Sequence, residues 1–394
     1  METKNVVIIS RNDFPEGDAG SVRDFSFAKI YEEMGYNAFC ICLGHSASGF
    51  FKKVKFVSIR IEKNSFYKKM VSEFGFKSRM KIVLNDFVRN YGDIDLIHVV
   101  DLPINAMIFI KYYARHNQIL IVHDSVEWYS STNFKYGKFS YGYISKTILN
   151  RYIIDKQFKV YAISKYLQSY YSNRKIECIR IPVILCVESF PKTSYIMNKK
   201  KQFVYSGSPG RKDNLKEILH GFALLQVDYL KKLNLNIIGL NKEQLLEIPG
   251  LQLSDIEILG DSLVVFGRVS RIEVLKILRT MDFSLLLRPA KERYAKAGFP
   301  TKIVESLANS VPVICNISSD LGDYLKDMEN SIIVSECDPL AIVETIKRAM
   351  NISNTELCSL RNNARKTAVK YFNYQIYKDN VTELITKKVK GIVL

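Results

Sequence analysis

Short runs of β-branched and aliphatic residues alternate with longer amphipathic segments along the whole chain. Such continuous apolar runs, separated by helical patterns, are typical of parallel strands covered by helices on both faces. The predicted strands of the first half are Val6–Ser10, Ala38–Leu43, Leu96–Val100, Ile119–His123, Val160–Ile163 and Ile179–Ile181. Those of the second half are Phe203–Ser206, Leu235–Ile238, Val264–Phe266, Phe283–Leu287, Val313–Cys315 and Ile332–Val334. The pattern predicts two Rossmann-like α/β domains, with a ligand-binding cleft between the carboxyl ends of their sheets.

Helix signals and a polar segment suggest where the domains begin and end. Ser21-Val-Arg-Asp24 predicts a capping box at the start of a helix that runs to Met34. The stretch Pro191–Lys201 is polar, ends in consecutive lysines and predicts a linker. We therefore expect an N-terminal domain over 1–190, a linker over 191–201, and a C-terminal domain over 202–372. Residues 373–394 are expected to form a helix that packs back on the N-terminal domain.

The net charge of the chain limits the classes of partner that it can bind and says little about its fold. Among 394 residues, Lys and Arg number 57 and Asp and Glu number 40, a formal net charge of +17. Anionic lipid, nucleic acid and phosphorylated substrates are all compatible with this excess. Basic residues are concentrated in Phe51–Lys81 and, mixed with aromatic residues, in Ser130–Lys175. That mixture suits an anionic membrane surface; nucleic acid binding and an ordinary solvated surface are the alternatives.

The cysteines and the apolar runs indicate a cytoplasmic protein. The seven cysteines are scattered and lack metal-ligand spacing, which favours reduced thiols. The N-terminus lacks the layout of a signal peptide, and no apolar run approaches the roughly 20 residues that a membrane span needs. We expect a cytoplasmic chain, either soluble or peripheral on the inner face of the cell membrane.

The most specific motif runs from Arg293 to Ile314 and joins a glycine-containing loop to a helix start at Thr301. Backbone N–H groups of the loop and first helical turn would face a diphosphate, with the helix dipole adding attraction. The residues expected to supply them are Gly298, Phe299, Thr301 and Lys302. One turn into the helix, Glu305 can accept hydrogen bonds from the vicinal diol of a ribose. The alternative is an ordinary capped surface helix.

This motif resembles the donor-binding segment of glycosyltransferase family 4, a large family of retaining enzymes with the GT-B fold. The hallmark of the family is a pair of glutamates separated by seven residues, followed by a small-residue helix and a Gly-x-Pro-Val-Ile strand. Glu305 matches the second glutamate, which holds the nucleotide ribose, whereas Ala297 replaces the first, which contacts the donor sugar. Ser310 replaces the glycine of the turn. The form Gly-Phe-Pro-Thr-Lys-x-x-Glu resembles a branch common in bacterial surface-polysaccharide synthesis.

The resemblance covers nearly the whole chain and assigns roles to two further loops. After the strand that begins at Phe203, a turn at Gly207 leads to Arg211 and Lys212, a basic pair that would neutralise the departing diphosphate. In the first domain, Gly17 and Gly20 would allow close backbone approach to the donor phosphates and acceptor. The alternatives are a basic exposed loop and a simple flexible turn.

A further group of candidates lies in His123-Asp-Ser-Val-Glu127, at the carboxyl end of a predicted strand. The resemblance implies that His123 faces the cleft and touches the transferred sugar, and that Asp124 or Glu127 positions the acceptor hydroxyl. A structural histidine is the alternative. Asp93-Ile-Asp95 has the form of a metal-binding DxD motif, but we interpret it as an acidic lead-in to the next strand and expect no metal.

The sequence thus predicts a hexosyltransferase-type enzyme that uses a nucleoside diphosphate sugar as co-substrate and needs no other cofactor. The expected acceptor is a glycan or a polyprenyl-linked glycan of a cell-surface polysaccharide, and transfer is expected to retain configuration. No nucleic acid partner is expected. Two alternatives stay open at this point, a nucleotide-sugar 2-epimerase with the same double fold and a non-catalytic nucleic-acid-binding protein.

Overall fold

A computed structural model describes residues 4–15, 17–42, 48–59, 66–191, 195, 197–207 and 212–387, with side chains omitted at 66–74 and 76. The chain forms two compact units, Met1–Leu185 with Tyr374–Leu394, and Cys186–Asn373. The first division therefore lies at 185–186, whereas the sequence placed it at 190–191. Arg365 explains the difference, since its guanidinium donates hydrogen bonds to the carbonyls of Val187 and Phe190, both 3.0 Å away.

The predicted linker packs against the second unit. The Tyr195 hydroxyl donates a hydrogen bond to Asp282, and the guanidinium of Arg361 lies 4.1 Å from the centre of the Tyr195 ring. Asn198 donates to the carbonyl of Thr280 at 2.9 Å. Polar composition predicted a free connection here, but the same polar groups form the contacts that hold the segment in place.

Within the described residues, the first unit contains an eight-stranded sheet in the order β3-β4-β2-β1-β5-β6-β7-β8, in which only β3 is antiparallel. Six of these strands, β1, β2, β5, β6, β7 and β8, were predicted from their apolar runs. The burial of all of these except β8, which is the half-buried edge strand, agrees with a sheet covered on both faces. The strands are β1 Lys4–Ser10, β2 Tyr36–Cys42, β3 Gly49–Phe51, β4 Val54–Ser58, β5 Leu96–Val100, β6 Leu120–Ser125, β7 Phe158–Ala162 and β8 Cys178–Arg180. The helices are α1 Ala19–Glu33, α2 Phe66–Tyr91, α3 Ile104–His116, α4 Tyr141–Ile148, α5 Lys165–Asn173 and, from the end of the chain, α15 Lys378–Thr386.

The hairpin formed by β3 and β4 is absent from the sequence prediction. Its turn consists of Lys52 and Lys53, which both have positive φ, 45° and 79°. Two-residue hairpin turns need this backbone conformation and normally use Asn or Gly to reach it. Without those residues the segment looked only like part of a basic stretch.

The start of α1 also differs from the prediction. Asp18 is the N-cap, and its side chain accepts a hydrogen bond from the backbone N–H of Ser21, which is the third helical residue. Ser21 therefore completes a capping box and does not begin one. Asp24, the predicted partner of Ser21, points into the core and accepts hydrogen bonds from Ser10 at 2.6 Å and Asn12 at 2.8 Å.

Within the described residues, the second unit has a six-stranded parallel sheet in the order β11-β10-β9-β12-β13-β14. This is the doubly wound order, in which the chain changes direction across the sheet between β9 and β12. The strands are β9 Lys201–Ser206, β10 Leu233–Ile238, β11 Leu263–Gly267, β12 Phe283–Leu286, β13 Val313–Cys315 and β14 Ser331–Ile333. The helices are α6 Leu215–Ala223, α7 Val227–Leu230, α8 Lys242–Leu246, α9 Leu253–Leu259, α10 Arg271–Arg279, α11 Arg293–Ala297, α12 Thr301–Ala308, α13 Pro339–Asn351 and α14 Asn354–Phe372.

The segment Asp93-Ile-Asp95 has a structural explanation in the first unit. The Asp95 carboxylate accepts a hydrogen bond from the backbone N–H of Asn5 at 2.7 Å, and the Asn5 amide donates to the carbonyl of Asp93 at 2.9 Å. The DxD segment therefore ties the beginnings of β1 and β5 together.

All seven cysteines are free thiols. None of the described helices has the length and apolar character needed to cross a membrane.

We predict that Asp24 makes folding stability fall as pH rises through the acidic range. Burial raises the pKa of Asp24 to about 7, despite the hydrogen bonds from Ser10 and Asn12 that lower it. Between about pH 4, the pKa of an unfolded Asp, and pH 7, the folded chain holds a proton that the unfolded chain releases. Asp24 should therefore lower the free energy of unfolding by up to about 1.4 kcal/mol per pH unit across this window.

Urea unfolding at several pH values checks this expectation. Asp24→Asn should remove the corresponding part of the slope between pH 4 and 7, while Asp86→Asn, at an exposed position on α2, should leave the slope as in the wild type. Equal slopes in the wild type and the Asp24 variant would contradict it.

Candidate functional site

Glycine turns shape the carboxyl edge of the second sheet. Gly207 follows β9 with a φ of 118°, and Gly239 follows β10 with a φ of 107°, conformations that L side chains rarely adopt. A Cβ atom on Gly239 would lie 2.8 Å from the carbonyl carbon of Gly207, and the Gly207 N–H donates to Ile238 at 2.8 Å. The two turns are therefore packed backbone to backbone.

A buried carboxylate, that of Asp213, gathers three donors at this edge. Its side chain is only 2% exposed and accepts hydrogen bonds from Arg288 Nε at 3.0 Å, Lys302 Nζ at 2.7 Å and the Tyr205 hydroxyl at 2.8 Å. Tyr205 belongs to β9, Arg288 follows β12 and Lys302 lies in the first turn of α12. We call these four residues the Asp213 cluster. It spans the point where the strand order reverses, the usual ligand position in open α/β sheets.

The ionisation of the cluster is set by burial and by charge pairing. Burial raises the pKa of Asp213, but the ion pairs with Lys302 and Arg288 outweigh it and leave the pKa below its ordinary value. Burial lowers the pKa of Lys302, Asp213 raises it, and the neighbouring Arg288 and Lys212 lower it; the net pKa lies below its ordinary value. Two cations share one carboxylate, so the cluster carries excess positive charge.

The predicted donor loop lies beside this cluster. The Tyr294 hydroxyl donates to the backbone carbonyl of Lys212 at 2.8 Å, which joins the loop after β9 to the segment before α12. Lys212 also lies close enough to Lys302 to lower its pKa. The structure thus brings together the two motifs that the sequence predicted would share one ligand. Arg211 lies outside the described residues.

The loop before α12 supplies fewer free amides than predicted. Gly298 donates its N–H to the carbonyl of Tyr294 at 2.9 Å, which ends α11, so this amide does not face a ligand. The Phe299 side chain is 6% exposed and packs on Tyr324 and Phe372, so it is a core aromatic, and the predicted contact of its backbone N–H with a ligand stays a prediction. Thr301 is the first residue of α12, and Pro300 before it makes no side-chain cap, so the first-turn amides of Thr301 and Lys302 remain candidates.

Glu305 lies one turn further along α12 and pairs with a residue that the sequence prediction missed. Its Oε1 atom accepts hydrogen bonds from Arg271 Nη2 at 2.7 Å and Nε at 3.2 Å. Arg271 is the first residue of α10, after β11, and both side chains are partly exposed. The ion pair fixes Glu305 through one oxygen and adds a cation at the same edge.

In the first unit, the glycines of the loop after β1 are required by the loop itself. A Cβ atom on Gly17 would lie 2.4 Å from the Asp13 side chain, and one on Gly20 would lie 2.1 Å from the Asn12 amide. Both positions therefore have a sufficient structural reason to be glycine. Their predicted contact with a substrate stays a prediction.

His123 is completely buried within β6, and neither ring nitrogen has a hydrogen-bond partner in the described part of the chain. Burial, followed by the neighbouring Lys146, lowers the pKa of His123 to about 3, so the ring is neutral at physiological pH. Lys146 on α4 pairs with Asp101 at 2.7 Å, and Asp101 follows β5 with a φ of 47°. A neutral imidazole can donate one hydrogen bond and accept another, which suits a hydroxyl group.

The two acids after His123 are placed differently. Asp124 is fully buried, and its two oxygens accept hydrogen bonds from Arg23 Nε at 2.7 Å and Nη2 at 2.8 Å. Its geometry favours a structural role over the predicted contact with an acceptor, because both oxygens are already bound. Glu127 is half-buried and shares a hydrogen bond with Tyr129.

The residues that the sequence prediction missed share one property, which is that they act through ion pairs or hydrogen bonds between different elements and loops. A hint existed only for Asp213, which follows the basic pair directly. The missed residues are Asp101, Lys146, Tyr205, Asp213, Arg271 and Arg288. Among the described residues, no group of three or more His, Cys, Asp or Glu side chains is placed to hold a metal ion.

Residues 187–370 match the family described as "Glycosyl transferases group 1". No curated protein sequence matches the chain. Among solved structures, sucrose-phosphate synthase from Thermosynechococcus elongatus superposes with a TM-score of 0.74 at 14% identity, covering 97% of this chain and 98% of that one. HepE of Anabaena in complex with UDP gives 0.67 at 12% identity, with 98% and 100% coverage. WaaG, a glycosyltransferase involved in lipopolysaccharide biosynthesis, gives 0.68 at 13% identity, with 97% and 100% coverage.

These similarities confirm the predicted fold class and enzyme class. The fold is that of the GT-B glycosyltransferases, and the chain is a glycosyltransferase. Of the alternatives left open by the sequence, neither the 2-epimerase nor the nucleic-acid-binding protein is favoured.

Proposed function

We propose that the chain transfers a sugar from a nucleoside diphosphate donor to a glycan or polyprenyl-linked glycan, with retention of configuration, in the synthesis of a cell-surface polysaccharide. One observation carries the donor half of this proposal. The Lys302–Asp213 ion pair and the Tyr294–Lys212 hydrogen bond join the start of α12 to the loop after β9. Cations, helix-terminal amides and Glu305 thereby occupy the same edge of the second sheet.

A uridine nucleotide is the first donor to test. The Anabaena HepE structures contain UDP, UDP with glucose, and UDP-glucose. In our proposal Glu305 accepts hydrogen bonds from the ribose diol of this nucleotide, and the first-turn amides of α12 face its diphosphate. Ala297 replaces the glutamate that the sequence resemblance assigns to the donor sugar, so other residues would have to bind the sugar.

Fixed cations support a reaction without a metal ion. Charge develops on the diphosphate as the glycosidic bond breaks, and preorganised cations stabilise that charge in the transition state more than in the ground state. In our proposal Lys212 and the α12 terminus act in this way, and Arg211 remains a candidate from the sequence. The acceptor would then attack from the face of the departing diphosphate, which retains configuration.

His123 is proposed to contact hydroxyl groups of the sugar. Its neutral ring has both nitrogens unpaired in the described part of the chain, and a buried polar atom without a partner costs free energy. Sugar hydroxyls would relieve that cost by donating to one nitrogen and accepting from the other. Glu127 remains the candidate for the acceptor hydroxyl.

The surface of the first unit supports a location on the cytoplasmic face of the membrane. The segment 135–141 exposes Tyr136, Phe139 and Tyr141 by 70%, 89% and 61%, and both lysines within it are exposed. Amphipathic and aromatic side chains next to lysines suit the boundary between anionic headgroups and acyl chains. A polyprenyl-linked acceptor would be presented at that boundary.

We predict that Glu305→Ala and Lys212→Ala each lower transfer from a UDP-sugar by about a hundredfold or more, because each removes a contact to the activated nucleotide. The measurement is UDP release from a panel of UDP-sugars. Glu273→Ala and Lys276→Ala, at exposed positions on α10, serve as matched controls and should keep wild-type rates.

A binding comparison locates the Glu305 contact. The wild type should bind UDP more tightly than 2′-deoxy-UDP, and Glu305→Ala should remove the difference. Unchanged turnover in both site variants would refute the assignment of the donor site. Product analysis with the donor alone distinguishes a glycosyltransferase from an epimerase, because an epimerase converts its nucleotide sugar without an acceptor.

We predict that Lys135→Gln combined with Lys138→Gln weakens binding to phosphatidylglycerol-containing vesicles about thirtyfold, since each cation near an anionic surface contributes about 1 kcal/mol. Vesicle sedimentation measures the partition coefficient. Lys199→Gln with Lys200→Gln is the charge-matched control in the second unit, where both lysines are exposed. Equal losses in the two double variants would show that only net charge matters and would contradict a specific docking segment.

A further inference from the structure

The side chain of Lys302 lies directly over the backbone turn at Gly207. A Cβ atom built on Gly207 would be 2.5 Å from Lys302 Cε and 2.7 Å from Lys302 Nζ. Glycine is therefore the residue that lets this ammonium group approach the end of β9. The sequence prediction assigned only the backbone N–H of Lys302 to the ligand.

Lys302 is also the second residue of α12, so its ammonium group and the open amides of the helix start share one location. Both attract an anion, the first by its full charge and the second by the partial positive charge of the helix terminus. Their convergence at the end of β9 favours a ligand with several anionic oxygens. A diphosphate meets that description.

The net positive charge of the Asp213 cluster also favours an anionic ligand. Asp213 is one carboxylate between Arg288 and Lys302, and the neighbouring Lys212 adds a further cation. Burial and the cationic neighbours lower the pKa of Lys302 despite Asp213. An additional anion would relieve this repulsion.

We propose that Lys302 contacts the diphosphate of the donor through its ammonium group, and that Asp213 is the positioning residue that holds Lys302 and Arg288 toward it. This inference rests on the proposed function and extends it to side chains that the sequence motifs do not assign. Asp213 acts through the two cations and does not itself touch the ligand. Tyr205 supports it by donating a hydrogen bond from β9.

The first experiment compares diphosphate with monophosphate binding. Titration calorimetry with UDP, GDP and ADP identifies the tightest nucleoside diphosphate for the wild type, and the corresponding monophosphate is then measured. Lys302→Met should weaken the diphosphate about ten- to a hundredfold and the monophosphate less than about threefold, because a hydrogen bond to a charged group is lost only with the former. Lys302→Arg should restore most of the preference, and Lys276→Met is the matched control on α10.

The second experiment is a double-mutant cycle between Asp213 and Lys302. Asp213→Asn should lower the diphosphate preference, and its combination with Lys302→Met should lower it by clearly less than the sum of the two single losses, the part beyond Lys302→Met alone being the contribution of Arg288. A merely structural Asp213 would lower the melting temperature without changing the ratio of the two affinities. Additive losses, or an unchanged ratio in Asp213→Asn, would overturn the positioning role.

The outcomes separate this inference from the proposed function. If the wild type binds a nucleoside diphosphate and Lys302→Met binds it equally well, the role of Lys302 is wrong while the donor site stands. If the wild type binds none of the three diphosphates, the proposed donor site is wrong and this inference falls with it.

Discussion

The carboxylate of Asp213 is the constraint on which the second unit's site depends. Burying a charged carboxylate is costly unless it is paired and hydrogen-bonded, so its three donors have to remain in place. Those donors come from β9, from the end of β12 and from the first turn of α12. One buried charge therefore fixes the relative position of the loops on both sides of the point where the strand order reverses.

The two units have related topologies but different chemistry at their carboxyl edges. In the second unit, two cations share one carboxylate and a helix begins without a side-chain cap, which suits a polyanion. In the first unit, Lys146 is paired with Asp101, and the buried ring of His123 is neutral. Neutral polar groups suit hydroxyls better than phosphates. Two sheets with related strand orders thus carry different chemistry, and our proposal assigns the nucleotide to the second unit and the sugar hydroxyls to the first.

The sequence predicted the sheets well because each central strand is a continuous apolar run, which is a local signal. It failed where the cause was not local. The β3–β4 hairpin was missed because Lys52 and Lys53 adopt positive φ without the usual turn residues. The Asp213 cluster was missed because its ion pairs join residues of separate loops. The amide of Gly298 was misjudged because the short helix α11, whose last hydrogen bond uses it, left no clear pattern in the sequence.

A crystal structure of the chain with UDP bound tests the central claim most directly. We expect diphosphate oxygens within hydrogen-bonding distance of Lys302 Nζ and the first-turn amides of α12, and ribose hydroxyls hydrogen-bonded to Glu305. A nucleotide bound at any other edge of either sheet, with the Asp213 cluster unchanged and untouched, would contradict it.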